Sequence, residues 1–128
     1  MSAPADPTRL LVVGVSYRSA PVAVRERLAV ASEERESVLH HLRDPKIVRE
    51  AMVISTCNRV EAYACADDIE GASDRIVAFF SARVPHQDLR PYLYERRGRD
   101  AVLHVFRVAS SLDSLRSEER RVGKECRL

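Results

Sequence analysis

The chain lacks tryptophan, has few aromatic residues, and contains no long apolar run. None of its apolar segments reaches the roughly 18 to 20 residues that are needed to span a bilayer. The N-terminal residues 1–8 also lack the basic and apolar regions of a secretory signal peptide, and we expect them to form a flexible leader. These absences predict a cytoplasmic protein that makes no membrane contact.

Cysteine and glycine are scarce as well. The three cysteines, Cys57, Cys65 and Cys126, form no CxxC pair and have no zinc-ligand spacing with the four histidines. We therefore expect reduced thiols and no metal site. None of the four glycines belongs to a GxGxxG segment, so the sequence offers no recognisable site for a dinucleotide cofactor.

The charge of the chain is nearly balanced. The net charge of +2 comes from residues 116–128, which hold five basic and three acidic residues and leave residues 1–115 with 16 of each sign. Nucleic-acid binding would thus require a local basic patch, such as Arg90 with Arg96, Arg97 and Arg99. The same cluster is also typical of a solvated surface.

The 128 residues, 45% of them hydrophobic and 31% charged, are enough for one soluble domain with its own core. The apolar pattern predicts strands at residues 10–15, 48–55, 60–66 and 92–95, and helices at 21–31, 32–44, 68–83 and 100–109. In the last helix, the residues expected to face the core are Val102, Val105, Phe106 and Ala109. The predicted fold is α+β, with a small, mainly antiparallel sheet of three to four strands and helices on one side.

A cysteine lies where the second predicted strand gives way to polar residues, in the segment Ser55-Thr56-Cys57-Asn58-Arg59. In an extended segment Cys57 and Arg59 would point to one face, and a nearby cation favours the nucleophilic thiolate. Cys57 is therefore a candidate nucleophile. The alternative is a structural cysteine in a non-enzymatic RNA-binding or protein-binding module, because free cysteines are mostly buried. Cys65, within the alternating third strand, is predicted to be structural.

His104 flanks the apolar stripe of the last predicted helix. A histidine beside an apolar face is usually a hydrogen-bonded boundary residue, although a role in proton transfer fits the same position. Spacing alone leaves both interpretations open.

Three segments carry a resemblance to a known family. They are Gly14–Val22 (GVSYRSAPV), Ser55–Glu61 (STCNRVE) and His104–Ser114 (HVFRVASSLDS). Together they resemble, in the same order, the opening signature, the catalytic motif and the closing block of the N-terminal domain of glutamyl-tRNA reductase. The sequence differs at Tyr17, which with Ser16 replaces a common Asn-His pair.

The resemblance implies the first committed step of tetrapyrrole (porphyrin) synthesis, in which tRNA-bound glutamate is reduced to glutamate-1-semialdehyde with NADPH. Cys57 would attack the ester carbonyl that links glutamate to its tRNA, form a thioester and release the tRNA. A thiolate suits this step because it is both a good nucleophile and a good leaving group.

The same resemblance implies roles for further residues. Arg59 would bind the side-chain carboxylate of the substrate, since a planar guanidinium can pair with it bidentately. Thr56 and Asn58 would contact the substrate from the same loop, and Ser114 matches another substrate-contact position. His104 would position the acceptor end or assist proton transfer.

The resemblance covers about residues 9–115, which we predict to form the catalytic domain. Beyond this point the family continues into a nucleotide-binding domain and a helical dimerisation domain, whereas residues 116–128 show no matching pattern. We predict that residues 116–128 are a non-native, irregular tail, and that this chain has incomplete activity. NADPH binding and homodimer formation would belong to the full-length family.

Overall fold

The computed structural model describes the backbone of residues 9–122 and the side chains of residues 9–110. The strands are β1 (Leu10–Ser16), β2 (Val48–Ser55), β3 (Arg59–Ala66) and β4 (Tyr94–Arg97). The helices are α1 (Val22–Leu28), α2 (Arg35–Leu42), α3 (Ile69–Arg83) and α4 (Arg99–Val122), with a 3-10 turn at Ser32–Glu34. Within this part of the chain no helix is long and apolar enough to cross a membrane.

The strands form a single antiparallel sheet in the order β2-β3-β1-β4. Alternation of apolar residues places Leu11, Val13 and Val15 of β1 in the main core, while Val12 belongs to a second cluster. The α+β prediction with a small antiparallel sheet is confirmed. Because both faces of β1 are covered, β1 is apolar almost throughout.

The main core lies between one sheet face and helices α1, α2 and α3. Helix α3 contributes the fully buried side chains of Ile76 and Phe80, and Asp68 begins this helix by accepting a hydrogen bond from the Gly71 N–H at 3.0 Å. The predicted stripe of α3 therefore lies in the core.

Helix α4 packs on the opposite face, so the expectation that all helices lie on one side was wrong. Ala101 and Val105 of α4 contact a cluster that contains Val12 and Tyr63. A turn at Gly98, whose φ of 60° is readily adopted only by glycine, separates β4 from α4. The chain changes direction at this turn, and α4 therefore packs on the sheet face that the other helices do not cover.

The predicted inner stripe of α4 was also partly wrong. Phe106 is 67% exposed and Ala109 is exposed, whereas Ala101 and Val108 are buried and His104 faces the sheet. Residues 101, 104, 105 and 108 have the i, i+3, i+4, i+7 spacing of one helix face. The prediction chose the neighbouring helix face because it considered only apolar residues, whereas the true inner face includes His104.

Several other boundaries also differ from the prediction. α1 ends at Leu28, so residues 29–31 lie beyond it, and α2 spans Arg35–Leu42 rather than residues 32–44. β4 spans Tyr94–Arg97, about two residues later than expected. α4 continues to Val122 and so includes the first part of the predicted tail, residues 116–122. The predicted leader, residues 1–8, and residues 123–128 lie outside the described residues. The division into leader, catalytic domain and non-native tail remains a prediction.

Candidate functional site

The site is built around one residue pair of the β1 and β3 ladder. Their register places Gly14 opposite Glu61. A Cβ atom on Gly14 would lie 2.4 Å from the backbone oxygen of Val60 and 2.8 Å from both Cα and Cγ of Glu61, which is closer than a Cβ atom approaches its neighbours in real structures. Glycine at this position therefore makes the space in which the Glu61 side chain lies against the sheet.

Glu61 is fully buried, with 0% of its surface exposed. Its Oε1 accepts a hydrogen bond from the Tyr63 hydroxyl at 2.7 Å, and its Oε2 accepts one from the Tyr94 hydroxyl and lies 3.3 Å from Nη1 of Arg59. Nε2 of His104 is also within hydrogen-bond distance of Oε2. One donor approaches Oε1 and three approach Oε2, and together they offset the cost of burying the charge of this carboxylate.

His104 reaches this carboxylate from α4. Its side chain is 13% exposed, and its ring packs at 54° against that of Tyr94, with centroids 5.4 Å apart. Because Nε2 is directed at Glu61, the imidazole could bind a substrate only through its other nitrogen, Nδ1. The β4 tyrosine and the β3 carboxylate thus fix the orientation of the ring.

The two tyrosines are held as neutral donors. Burial, and after it the negative charge of Glu61, raises the pKa of both Tyr63 and Tyr94 far above the ordinary value of a phenol. A protonated phenol at each position keeps donating to the carboxylate across the physiological pH range.

A cavity of about 430 Å³ opens above this network. It is lined by Ser16, Tyr17, Arg18, Ser19, Arg59, Tyr94, Arg96, His104, Arg107 and Val108. Four guanidinium groups and an imidazole line it, and no carboxylate is among its lining residues in the described part of the chain. Its inner wall is half-buried at Arg59 and His104, whereas Tyr17, Arg18, Arg96 and Arg107 form an exposed outer wall. The cavity is therefore suited to an anionic ligand.

The loop between β2 and β3 is fixed by Thr56. Its Oγ1 accepts hydrogen bonds from the backbone N–H groups of Asn58 at 3.1 Å and Arg59 at 3.2 Å, and its own N–H donates to the Arg59 carbonyl at 2.8 Å. The Asn58 carbonyl accepts a hydrogen bond from the Tyr17 N–H at 2.8 Å. Thr56 thus shapes the tight turn that carries Cys57, and Asn58 joins this turn to the outer wall of the cavity.

Cys57 is exposed at the tip of this loop. Its carbonyl oxygen lies 3.4 Å from Nε of Arg25, which also donates to the Ala20 carbonyl at 2.6 Å and so links α1 to the loop. The Cys57 sulfur is disulfide-bonded in this structure, contrary to the prediction of reduced thiols, whereas Cys65 is free and half-buried. An exposed sulfur is accessible to oxidation. Tests of Cys57 as a nucleophile are therefore designed for the reduced chain.

The structure brings together some of the residues that the sequence singled out. Arg59 and His104 meet on Glu61 and line one cavity. Cys57, by contrast, lies on the adjoining loop and is not among the described residues that line the cavity. The side chain of Ser114 lies outside the described residues.

Sequence reasoning did not identify Glu61 or Tyr94 as parts of the site. A signal was available, since Arg59, Glu61 and Tyr63 alternate along one strand and so lie on one face. A carboxylate within an otherwise apolar strand is rarely buried unless it is paired. Tyr94 gave no comparable signal, because its strand was predicted two residues too early and the residues that share a face with Tyr94 could not be identified.

The predicted basic patch is divided between several surfaces. Arg96 lines the cavity. Arg97, its neighbour on β4, forms ion pairs with Glu70 and Glu95, and Arg90 pairs with Asp88 at 3.0 Å. Alternation along β4 sends adjacent side chains to opposite faces, so of the two β4 arginines only Arg96 lines the cavity.

Comparisons with known proteins identify the family. A family model described as the N-terminal domain of glutamyl-tRNA(Glu) reductase matches residues 13–126, which include most of the predicted tail. Over 108 residues the chain is 45% identical to the glutamyl-tRNA reductase of Pelobacter propionicus and 44% identical to that of Thermosynechococcus vestitus. Each alignment covers 83% of this chain and 25% of the relative.

A solved structure agrees with this result. The glutamyl-tRNA reductase from Methanopyrus kandleri superposes with a TM-score of 0.56 at 30% identity, over 83% of this chain and 23% of that one. The chain spans about a quarter of the length of the relatives that it matches. The predicted resemblance is confirmed: the chain belongs to the glutamyl-tRNA reductase family and corresponds to its N-terminal domain.

Proposed function

We propose that this domain binds the glutamyl group of glutamyl-tRNA and transfers it to Cys57 as a thioester, the acylation step of glutamate-1-semialdehyde formation for tetrapyrrole synthesis. The observation that carries this proposal is the buried Glu61, which holds Arg59 and His104 together at the base of a cationic cavity beside the Cys57 loop.

Arg59 is the group that recognises the substrate side chain. A guanidinium has five N–H donors, and the contact with Glu61 uses Nη1. Its remaining edge is available to a second carboxylate, and the pairing can be bidentate. Glutamine would leave this edge without a charged partner, so the site distinguishes the glutamyl from the glutaminyl group.

The acylation step balances without a further reactant. The Cys57 thiolate attacks the ester carbonyl, an S–C bond forms, and the C–O bond to the terminal ribose breaks. The departing ribose oxygen takes a proton, for which His104 is the donor that the cavity offers. Glu61 positions the imidazole and balances its positive charge when it is protonated.

NADPH does not fit the described residues. The glycine-rich dinucleotide site of doubly wound folds lies in a parallel βαβ unit, whereas this sheet is antiparallel and its Gly14 lies within a strand against Glu61. We therefore assign only acyl transfer to this domain. We assign hydride transfer from NADPH and homodimer formation to the other parts of the longer reductases. We expect the whole enzyme to act in the cytoplasm.

Mass spectrometry of the intact chain tests the proposal. The chain is reduced with a phosphine, which does not cleave thioesters, and is then incubated with glutamyl-tRNA. We expect one glutamyl group on the wild type and on Cys65→Ser, and none on Cys57→Ser. Glutaminyl-tRNA, the matched control substrate, is expected to give no adduct. A glutamyl group mapped to Cys65 would show that the nucleophile is misassigned.

A further inference from the structure

We propose that the outer wall of the cavity, formed by Tyr17, Arg18, Arg96 and Arg107, is a subsite for the 3′-terminal nucleotide of the RNA. The base stacks on the Tyr17 ring, and the arginines contact the phosphate that precedes this nucleoside. The inference rests on the proposed function, because it concerns the nucleic-acid portion of the same substrate.

The charge of the outer wall is the first argument. The inner cation Arg59 is paired with Glu61. Within residues 9–110, by contrast, Arg18, Arg96 and Arg107 form no ion pair: Arg18 donates to the Tyr17 hydroxyl at 3.0 Å, and Arg96 donates to a backbone carbonyl at 2.8 Å. Three guanidinium groups therefore face one opening without a neutralising carboxylate, which favours a phosphodiester.

The size of the cavity is the second argument. Its volume of about 430 Å³ is within the range of sites that enclose a drug-sized ligand. A glutamyl side chain in contact with Arg59 is smaller than such a ligand and fills only the inner part. The remaining space lies beside the outer wall, where a nucleoside can enter.

The position of Tyr17 is the third argument. Its ring is 52% exposed, and Cζ of Arg18 lies 5.5 Å from the ring centroid. The backbone N–H of Tyr17 is hydrogen-bonded to Asn58, the residue that follows Cys57. Because the glutamyl ester is made to the terminal ribose, the terminal base must lie close to the nucleophile. An exposed aromatic ring fixed to the nucleophile loop provides a stacking surface there.

The test compares two acyl donors on the full, phosphine-reduced chain. One is glutamyl-tRNA, and the other is a small glutamate α-thioester without a nucleotide. The rate of Cys57 acylation is measured with both donors for the wild type, Tyr17→Ala, Tyr17→Phe and Arg107→Ala. Arg43→Ala is the matched control, because this exposed arginine lines a separate depression beside α2.

We expect Tyr17→Ala to lower the ratio of the tRNA rate to the thioester rate by about fivefold or more, the effect of losing one stacked base. Tyr17→Phe retains the ring and loses only the hydroxyl that accepts a hydrogen bond from Arg18, so it should keep most of the wild-type ratio. Arg107→Ala should lower the ratio and reduce the slope of log rate against log salt, measured with tRNA, by about 0.7. Arg43→Ala should change neither quantity.

Other results would overturn the inference. A ratio that stays constant in Tyr17→Ala and Arg107→Ala, or an equal loss in Tyr17→Phe and Tyr17→Ala, excludes the stacked nucleotide while leaving the acylation itself intact. Failure of the wild type to accept either donor would instead disprove the proposed function, and the inference with it. Circular dichroism of each variant separates these effects from misfolding.

Discussion

At the scale of single residues, Glu61 links the fold of this protein to its candidate chemistry. A buried carboxylate loses its hydration, and this cost is offset only when donors occupy its lone pairs. Here the donors come from two neighbours on β3, from Tyr94 of β4 and from His104 of α4. The residue that orients the imidazole therefore also holds three elements together.

Substitution of Glu61 should lower the stability of the domain. In Glu61→Gln the amide nitrogen would face groups that are themselves donors, so we expect the free energy of unfolding to fall by about 3 kcal/mol. The matched control is Glu50→Gln, in which an exposed glutamate of β2 is replaced and the change should stay within about 0.5 kcal/mol. Urea denaturation measures the free energy of unfolding of both variants. An equally small change in Glu61→Gln and Glu50→Gln would show that the hydrogen bonds to Glu61 contribute no stability.

At the scale of secondary-structure elements, the close pairing of β1 with β3 decides where the site can form. Gly14 lies in the middle of a buried strand, where glycine is normally unfavourable. It is accommodated because the Val60 carbonyl and the backbone and side chain of Glu61 occupy the space that a Cβ atom would fill. Helix α4 then covers this carboxylate and supplies His104, whose ring contacts Glu61 of β3 and Tyr94 of β4.

A methyl group at position 14 should disturb this arrangement. We expect Gly14→Ala to reduce the free energy of unfolding by about 2 kcal/mol through overpacking, and to shift the NMR signals of the His104 ring as Glu61 is displaced. Gly98→Ala is the control, since it strains a residue with positive φ at a cost of about 1–3 kcal/mol without crowding Glu61. Unchanged His104 signals in Gly14→Ala would contradict this account.

At the scale of the whole molecule, the two faces of the sheet serve different purposes. The face covered by α1, α2 and α3 holds most of the buried apolar side chains. The face covered by α4 has a small apolar cluster and the polar network of the site. The apolar packing of the first face thus stabilises the domain, so that the second face can contain a buried charge and an open cavity.

Substitution of two phenylalanines, one on each side of the sheet, should show this difference in packing. Phe80 of α3 is 0% exposed and Phe106 of α4 is 67% exposed. We expect Phe80→Ala to lower the free energy of unfolding by about 3–5 kcal/mol, because it leaves a cavity in the main core. Phe106→Ala should change it by less than about 0.5 kcal/mol. Comparable losses in thermal or urea unfolding would show that α4 buries Phe106 in solution.

Local patterns in the sequence were sufficient for the α+β class, for the bounds of β2 and for the buried stripe of α3. Each depends on the period of apolar residues along one continuous segment. The resemblance in the three motifs was likewise a property of local sequence, and it identified the family that the comparisons confirmed.

The placement of α4 on the second face of the sheet, and with it the inward position of His104, was decided only by the tertiary structure. So was the role of Glu61, whose donors come from residues separated by up to 43 positions along the chain. Periodicity reports how one segment divides between apolar and polar surroundings. It does not report which distant polar groups meet in the interior, because the burial of a charge is made favourable by partners that only the folded chain brings together.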